Sequence, residues 1–408
     1  MPCDSNRNIT DCPVGLNGET PFLQAFQYSA RSATTFSWSF RKLLLDHDSG
    51  MKSSSPIQTV PKQSLSFRAW RNHRAPSRIL VIRLHAIGDV AITFPACSSL
   101  RQHFPTSHLD FLTSETCADL PKALTIFNRV HIFPHAQNRW ERLSYAVMWS
   151  FALRRYHYDV IIDLQRNWVS RMIRFCSLPR FWGEFDRVSP KPAGDCVLET
   201  FHMTGFETVQ AVYRMSLRAD LQSEAAEILM EQGWDKKKKL VVLNPAGLFP
   251  TRNWPTENYA ALARLFAQIM PAQFVILGTS RVIQKAERLK DLLPEFVLNL
   301  VGKTTLAHAF GVLQYASLII SEDSGLMHMA CVSGIPTLAL FGSTDYRRSR
   351  PTGNHSVCLH SGDLECGCCM SSSCKYGDVH CLTRYTPEYV FQRAHLMISN
   401  SYSFSTSQ

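Results

Sequence analysis

The 408-residue chain has no apolar run near the roughly 18–20 residues that a membrane-crossing helix needs. Its most apolar candidate, residues 143–153, is short and carries two serines. A secretory signal needs a basic start and an apolar centre, and Asp4, Arg7 and Asp11 interrupt the N-terminus instead. Two phosphate loops are missing as well. Only Gly88 stands where a dinucleotide oxidoreductase has Gly-x-Gly-x-x-Gly, and no Gly-x-x-x-x-Gly-Lys-Ser/Thr loop marks an ATPase. Acidic residues are the minority, 33 against 43 Lys and Arg, a net charge of +10 that suits an anionic partner. The basic residues are scattered and no nucleic-acid-binding motif accompanies them, so a nucleotide, a phosphorylated substrate or an acidic membrane face is favoured over nucleic acid. Eight of the thirteen cysteines stand singly, which does not read as a disulfide framework for export. A globular chain working in the cytoplasm, without a transmembrane segment, is expected.

What is present begins abruptly at residue 78. Residues 1–75 are rich in Ser, Thr, Pro and Gln without a sustained apolar period, and read as a disordered or loosely structured extension. Its end, with Phe67, Arg68, Trp70, Arg71 and Arg74, has the composition of a basic, aromatic surface anchor; a dispensable extension is the plainer reading. From Arg78 onward apolar runs at 79–84, 108–113, 129–133 and 159–164 alternate with helical stretches, which predicts a parallel sheet wound with helices. A helix is expected from Val90 to Phe104, kinked or started late by Pro95. The lysine run 236–239 reads as a solvated loop at a domain junction. A second alternating set follows at 240–243, 274–277, 297–300, 318–320 and 337–341, and a last helix from Thr386-Pro387 to about Ile398. The fold class is α/β: a Rossmann-like domain over 76–220 and another over 221–400, two doubly wound domains facing a cleft.

Three loops at strand ends carry the chemistry. Ser321-Glu322-Asp323-Ser324-Gly325 separates an apolar run from a helix holding His328, the place where an open α/β sheet binds ligands and where free N–H groups favour an anion. His328 is either a core histidine or, one turn into the helix, a side chain pointing back at that loop. Asn244 to Pro255 contains Arg252, whose guanidinium can fork onto a phosphate or lie on the surface beside Trp254-Pro255. His85-Ala86-Ile87-Gly88-Asp89 ends the first strand, with Asp89 placed to cap a helix beginning at Val90 or to act as a base.

Together these pieces resemble glycosyltransferase family 9, the ADP-heptose:lipopolysaccharide heptosyltransferase family, over residues 78–393. The resemblance rests on Ile-Gly-Asp-Val (87–90), Tyr-Asp-Val-Ile-Ile-Asp-Leu-Gln (158–165), His-Met (202–203), Pro-Thr-Arg-Asn-Trp-Pro (250–255), Leu-Val-Gly-Lys-Thr (300–304), Ser-Glu-Asp-Ser-Gly-Leu-Met-His (321–328) and Leu-Phe-Gly-Ser-Thr-Asp (340–345). It implies a GT-B fold, an N-terminal acceptor domain and a C-terminal nucleotide-sugar domain. It further implies inverting transfer, with no metal or cofactor, onto a lipid-anchored saccharide acceptor at the cytoplasmic face of the inner membrane, where the protein would be peripheral. By matching positions Asp89 is the implied general base, and Thr251, Arg252, Asp323, Ser324, Gly325 and His328 bind the ADP-sugar donor. His85-Ala86, Ala246 and Arg166 depart from the family's usual residues, the first and last on the acceptor side. Cys366, Cys369, Cys374 and Cys381, with Cys368 beside them, make a Cys-rich loop that could hold zinc or stay free; the free state is favoured. A relative using another donor or acceptor, or a nucleotide-sugar binding protein without turnover, are the alternatives.

Overall fold

The structure is a computed structural model, and it describes residues 65–71 and 74–405. Expectations for residues 1–64 lie outside the described residues. Every strand of the two sheets is parallel to its neighbours, as the alternating strand–helix sequence requires.

The first sheet holds β1 (Arg78–Ile82), β2 (His108–Ser114), β3 (Arg129–Phe133), β4 (Val160–Asp163) and β5 (Phe181–Glu184), in the order β3-β2-β1-β4-β5. Its principal helices are α1 (Ile87–Ile92), α2 (Phe94–His103), α3 (Arg139–Arg154), α4 (Trp168–Ser177) and α5 (Ala193–Met203). The continuous helix expected over 90–104 is two helices. It breaks at Thr93, whose hydroxyl donates to the Val90 carbonyl at 2.7 Å, and Pro95 sits in the first turn of α2, where its missing N–H costs nothing. Strand β5 was not read from the sequence: four residues including Gly183 give too short a pattern.

After α6 (Ala219–Glu231) the lysines at 236–238 form the turn into the second sheet. That sheet holds β6 (Lys239–Asn244), β7 (Ala272–Ile276), β8 (Val297–Asn299), β9 (Ala316–Glu322), β10 (Thr337–Leu340) and β11 (Ser356–Leu359), in the order β11-β10-β9-β6-β7-β8. The helices around it are α7 (Thr256–Ile269), α8 (Ile283–Leu292), α9 (Leu306–Leu313), α10 (Gly325–Val332) and α11 (Pro387–Ser405). Thr386 accepts the Tyr389 N–H at 3.3 Å, as a helix-starting threonine should, and α11 runs beyond the expected end at Ile398.

In both sheets the first strand lies between the second and the fourth, so the connections leave it in opposite directions. The crevice at that switch falls between β1 and β4 in one sheet and between β6 and β9 in the other. Alternation along β1 sends Ile79 and Val81 to one side and Leu80 and Ile82 to the other. The Ile79 side merges with apolar residues of the second sheet in one continuous cluster, where Phe94 lies 6.4 Å from Phe310 between ring centres. Each fully buried aliphatic side chain there contributes roughly 1.5–3 kcal/mol.

Residues 65–71 are not a loose anchor. Arg68 and Trp182 exchange backbone hydrogen bonds of 2.8 and 3.0 Å, and the Trp70 N–H donates to the Thr204 carbonyl at 2.7 Å. The Trp70 ring meets Phe181 edge-on at 4.9 Å. The physical reason is β5, an edge strand whose open backbone groups need a partner. Gly205 is required here, since a Cβ would stand 2.2 Å from the Trp70 carbonyl oxygen. A chain truncated to begin at residue 75 is therefore expected to lose about 2–4 kcal/mol relative to one beginning at residue 65. Thermal melting of the two truncations side by side checks this; equal midpoints would make the 65–71 contact ornamental.

Candidate active site

The β6–β9 crevice is built around a buried acid that the sequence reading passed over. Glu322, the last residue of β9, is fully buried and accepts the Gly247 N–H at 2.6 Å and the Trp254 N–H at 2.7 Å, one on each carboxylate oxygen. It thereby pins both ends of the loop that presents Arg252. Burial pushes the Glu322 carboxyl up to about 7, while Lys285, 3.9 Å away, and the two N–H groups oppose the rise. Lys285 crosses the same loop, donating to the Pro245 carbonyl and Asn253 Oδ1, both at 2.8 Å. Gly247 is needed for close passage: a Cβ would come within 2.3 Å of the Arg252 carbonyl oxygen.

Arg252 ends a single 3₁₀ turn after Pro250. Its Nη1 lies 3.5 Å from Asp323 Oδ2, its guanidinium stacks on Phe249 at 5.2 Å, and its buried Nε has no hydrogen-bond partner among the described residues. Asp323 Oδ2 also accepts the Thr344 hydroxyl at 2.9 Å. Ser324 caps α10, its Oγ accepting the Met327 N–H at 3.3 Å and receiving Asn244 Nδ2 at 2.6 Å. Gly325 opens that helix. Thr251 lies underneath: it is buried, and its hydroxyl bonds the Ser371 carbonyl at 2.6 Å and Ser343 Oγ at 3.0 Å. It cements the loop to its neighbours, its one hydroxyl proton pointing at the Ser371 carbonyl.

Facing this crevice is the loop after β1. Gln165, two residues beyond the end of β4, holds that loop by accepting the Leu84 N–H at 2.9 Å. Helix α1 starts at Ile87, so Asp89 sits in its first turn and accepts the Ala86 N–H at 3.3 Å. It therefore does not cap a helix from Val90. Its Oδ2 pairs with Arg83 Nη2 at 2.6 Å, and 41% of its side chain remains exposed. Arg83 is anchored in turn: Nη1 donates to the Leu164 carbonyl and the guanidinium stacks on Phe185 at 5.1 Å. Nearby His85 is held neutral by burial and by the cations Arg142, Arg83 and Arg187, which Asp89 only partly offsets.

The two loops meet. His328, on the first turns of α10, is buried against Gly88, where a Cβ would stand 2.7 Å from its Cδ2. Reciprocally, a Cβ on Gly325 would lie 3.0 Å from Ile87 Cγ2. Burial lowers the His328 pKa, while the charges of Asp323 and Asp89 pull it upward; we take the ring as neutral near pH 7. Asp89, Asp323, Ser324, Gly325 and His328 thus share one crevice, with Arg252 tied to it through Asp323.

The Cys-rich loop packs beneath the Arg252 loop around a cavity of about 440 Å³ lined by Thr251, Ser343, Cys366, Cys369, Cys374 and Cys381. Backbone N–H groups of Tyr376, Val379 and Gly377 lower the Cys374 thiol, whereas burial and the thiols of Cys369, Cys374 and Cys366 push Cys381 up to about 11. Among the described residues no three His, Cys, Asp or Glu side chains converge as a metal site. Prolonged dialysis against a strong chelator is expected to leave turnover unchanged. Stoichiometric zinc in elemental analysis, with activity lost on its removal, would reverse that expectation.

The family model described as glycosyltransferase family 9 (heptosyltransferase) matches residues 195–380, which include the Arg252 and Asp323–His328 loops. A lipooligosaccharide heptosyltransferase 2 from Campylobacter jejuni is 24% identical over 78% of this chain and 97% of its own. The matched stretch, residues 195–380, is that of glycosyltransferase family 9. A lipopolysaccharide heptosyltransferase 1 from Pseudomonas aeruginosa is 23% identical, covering 79% of this glycosyltransferase and 98% of the relative. Among solved structures, a family 9 glycosyltransferase from Veillonella parvula superimposes with a TM-score of 0.66 at 19% identity, covering 79% of this enzyme and 98% of that chain. An E. coli heptosyltransferase solved with ADP-2-deoxy-2-fluoro heptose superimposes with a TM-score of 0.55 at 20% identity, over 78% and 98% of the two chains. The shared fold is GT-B, in which the two switch-point crevices face one another. No helix among the described residues is long and apolar enough to cross a membrane.

Proposed function

We propose that this glycosyltransferase moves a heptose from ADP-heptose onto a lipid-linked lipopolysaccharide-core acceptor, with inversion at the sugar C1 and without a metal. The observation that carries the mechanism is the apposition of Asp89 to the α10 start across the Gly88–His328 contact. In this mechanism the acceptor hydroxyl gives its proton to Asp89 as its oxygen attacks C1 and the C1–phosphate bond breaks, leaving ADP. Arg83 orients the carboxylate. Charge growing on the leaving diphosphate meets Arg252, whose Nε has no partner among the described residues, and the N–H groups at the start of α10. Asp323 and Thr344 aim the Arg252 fork, Thr251 anchors its loop, and neutral His328 closes the crevice without adding charge. The cations around His85 form a wall on the acceptor side that suits an anionic core saccharide. The names of full-length relatives and the sugar-nucleotide bound in a solved relative support the choice of heptose and ADP.

Purified enzyme incubated with a panel of labelled nucleotide-sugars and a lipid-A-linked core acceptor tests this reading. Transfer from ADP-heptose is expected to dominate. Preferential transfer from another donor would leave the mechanism and change the substrate, and binding without transfer from any would end the enzymatic reading. Within the same assay Arg252→Ala is expected to raise the donor KM and lower kcat, and Arg252→Lys to recover only part, because a point charge replaces a fork. Unchanged ADP affinity in Arg252→Ala would place this side chain outside the site.

A further inference from the structure

Helices α3 and α4 form the outer layer of the first sheet. Their undersides, among them Ala146, Leu153, Val169, Met172 and Ile173, pack on Leu80, Ile82, Leu112 and Ile161. A surface layer should then turn polar side chains outward. Here it does not: Trp140, Phe151 and Phe175 are 75%, 61% and 69% exposed, and Met148 and Leu178 are exposed beside them. Along α3 the exposed positions Trp140, Ser144, Met148 and Phe151, with Arg155 just past its end, recur every three or four residues, so they form one line down the helix. Isolated exposed apolar residues are ordinary on any surface, but a line of them on one helix, continued on its packed neighbour, is a patch.

The patch has a sign as well as a polarity. Residues 139–180 contain eight arginines and three acidic residues, a surplus of five that is half the chain's net +10. Arg171 and Arg174 are spent on buried Glu184, and Arg166 is buried 3.6 Å from the same acid. Arg139, Arg154, Arg155 and Arg180 are exposed around the apolar line. Of the three acids, Asp163 is buried, and half-buried Asp159 is engaged by the Ser77 and Arg78 N–H groups at 2.8 and 3.1 Å.

We propose that the outer face of α3 and α4 is a docking surface for an anionic lipid bilayer. Aromatic side chains would enter the headgroup boundary while the arginines reach the lipid phosphates. Charge decides between occupants. A second copy of this chain seated on the same face would set one arginine rim against another, whereas an acidic bilayer complements it. Position supports the same occupant. The patch begins beside the acceptor side of the site, where Arg142 of α3 lies 5.7 Å over the Trp168 ring of α4 and its charge reaches His85. Docked this way, the Asp89 crevice opens near headgroup level, where a lipid-linked saccharide stands. That purpose rests on the proposed acceptor; the binding itself does not.

The test is co-sedimentation of the full-length protein with vesicles of phosphatidylcholine alone and of phosphatidylcholine mixed with phosphatidylglycerol. The wild type is expected to sediment with the anionic vesicles, less so as salt rises. The triple variant Trp140→Ser, Phe151→Ser, Phe175→Ser should bind them at least about tenfold more weakly with an unchanged melting temperature. Its turnover should fall on acceptor carried in vesicles and stay at the wild-type rate on a delipidated, water-soluble acceptor. A wild type that ignores anionic vesicles, or a triple variant that binds them equally well, overturns the proposal. So does a wild-type dimer that the variant dissolves without vesicle binding, since the face would then join two copies. Vesicle binding lost in the variant, with no transfer from any donor by the wild type, would keep the docking surface and refute the transferase reading alone.

Discussion

Asp89→Asn is expected to cut turnover by roughly 10²–10⁴-fold, the usual worth of a positioned base, while leaving the melting temperature and ADP affinity within experimental scatter. Asparagine keeps the oxygen that accepts the Ala86 N–H in the first turn of α1, so the local geometry survives. Arg83 loses a counter-charge but keeps the Leu164 carbonyl and the Phe185 ring. What asparagine cannot do is take a proton from the acceptor hydroxyl. In the proposed mechanism ADP is held across the crevice by the Arg252 and Ser324 loops, so calorimetry with ADP should not notice the change. Steady-state transfer rates and ADP titration on the same preparation make the comparison. Turnover near wild type in a folded Asp89→Asn protein would remove Asp89 from the mechanism.

Glu322→Ala is expected to cost about 3–5 kcal/mol, because two buried backbone N–H groups left unsatisfied cost roughly 1–3 kcal/mol each. The Gly247 and Trp254 N–H groups would lose their acceptors inside the protein, and Lys285 would lose the acid beside it. At roughly 2–4 °C per kcal/mol, a fall of about 10 °C in Tm is the readout. Donor affinity should fall too, because the Arg252 loop is tied at both ends to this one carboxylate. Glu322→Gln separates charge from geometry, since its amide nitrogen would turn a donor toward one of the two N–H groups. The pH dependence has a definite sign. The folded-state value of about 7 lies above the ordinary 4.5, so the protonated form is favoured by folding. The stability this confers is full below about 4.5 and is lost as pH rises through 7. Wild type should therefore exceed Glu322→Gln by the widest margin near pH 5, narrowing toward pH 8. A constant margin across that range in chemical denaturation would show that Glu322 does not carry its proton into the folded state.

The sheets were legible wherever a strand was buried on both faces. Residues 79–82, 240–243 and 318–320 are uninterrupted apolar runs because helices or the other sheet cover both sides. The two strands that escaped, β5 and β11, are short edges in which Trp-Gly-Glu and Ser-Val-Cys break the run. Asp89, Asp323 and Ser324 could be singled out because each ends a strand or starts a helix within a few residues, a local signal. Glu322 and Arg83 could not. Glu322 stood in plain view in the same loop, but its partners Gly247, Trp254 and Lys285 are contacts across dozens of residues that no local spacing encodes. Arg83 stood inside the apolar run 79–84, with nothing nearby in the chain to mark its partner. Residues 65–71 misled for the same reason: a basic, aromatic composition suits lipid as well as it suits a bare strand edge, and β5 was not visible to favour the second.

The contact between Gly88 and His328, with Gly325 against Ile87, bears on how such enzymes can be recombined. Each half of the molecule carries a bare backbone position that exists to receive a side chain from the other. A chimera joining the first-sheet half of this chain to the second-sheet half of a relative inherits a lock and key cut separately. Should the incoming half bring a bulkier ring at 328, or a side chain at 325, the opposing loops would stand apart and Asp89 would no longer face the start of α10. Exchange of halves then succeeds only when these four positions travel as a matched set, however well each half folds alone.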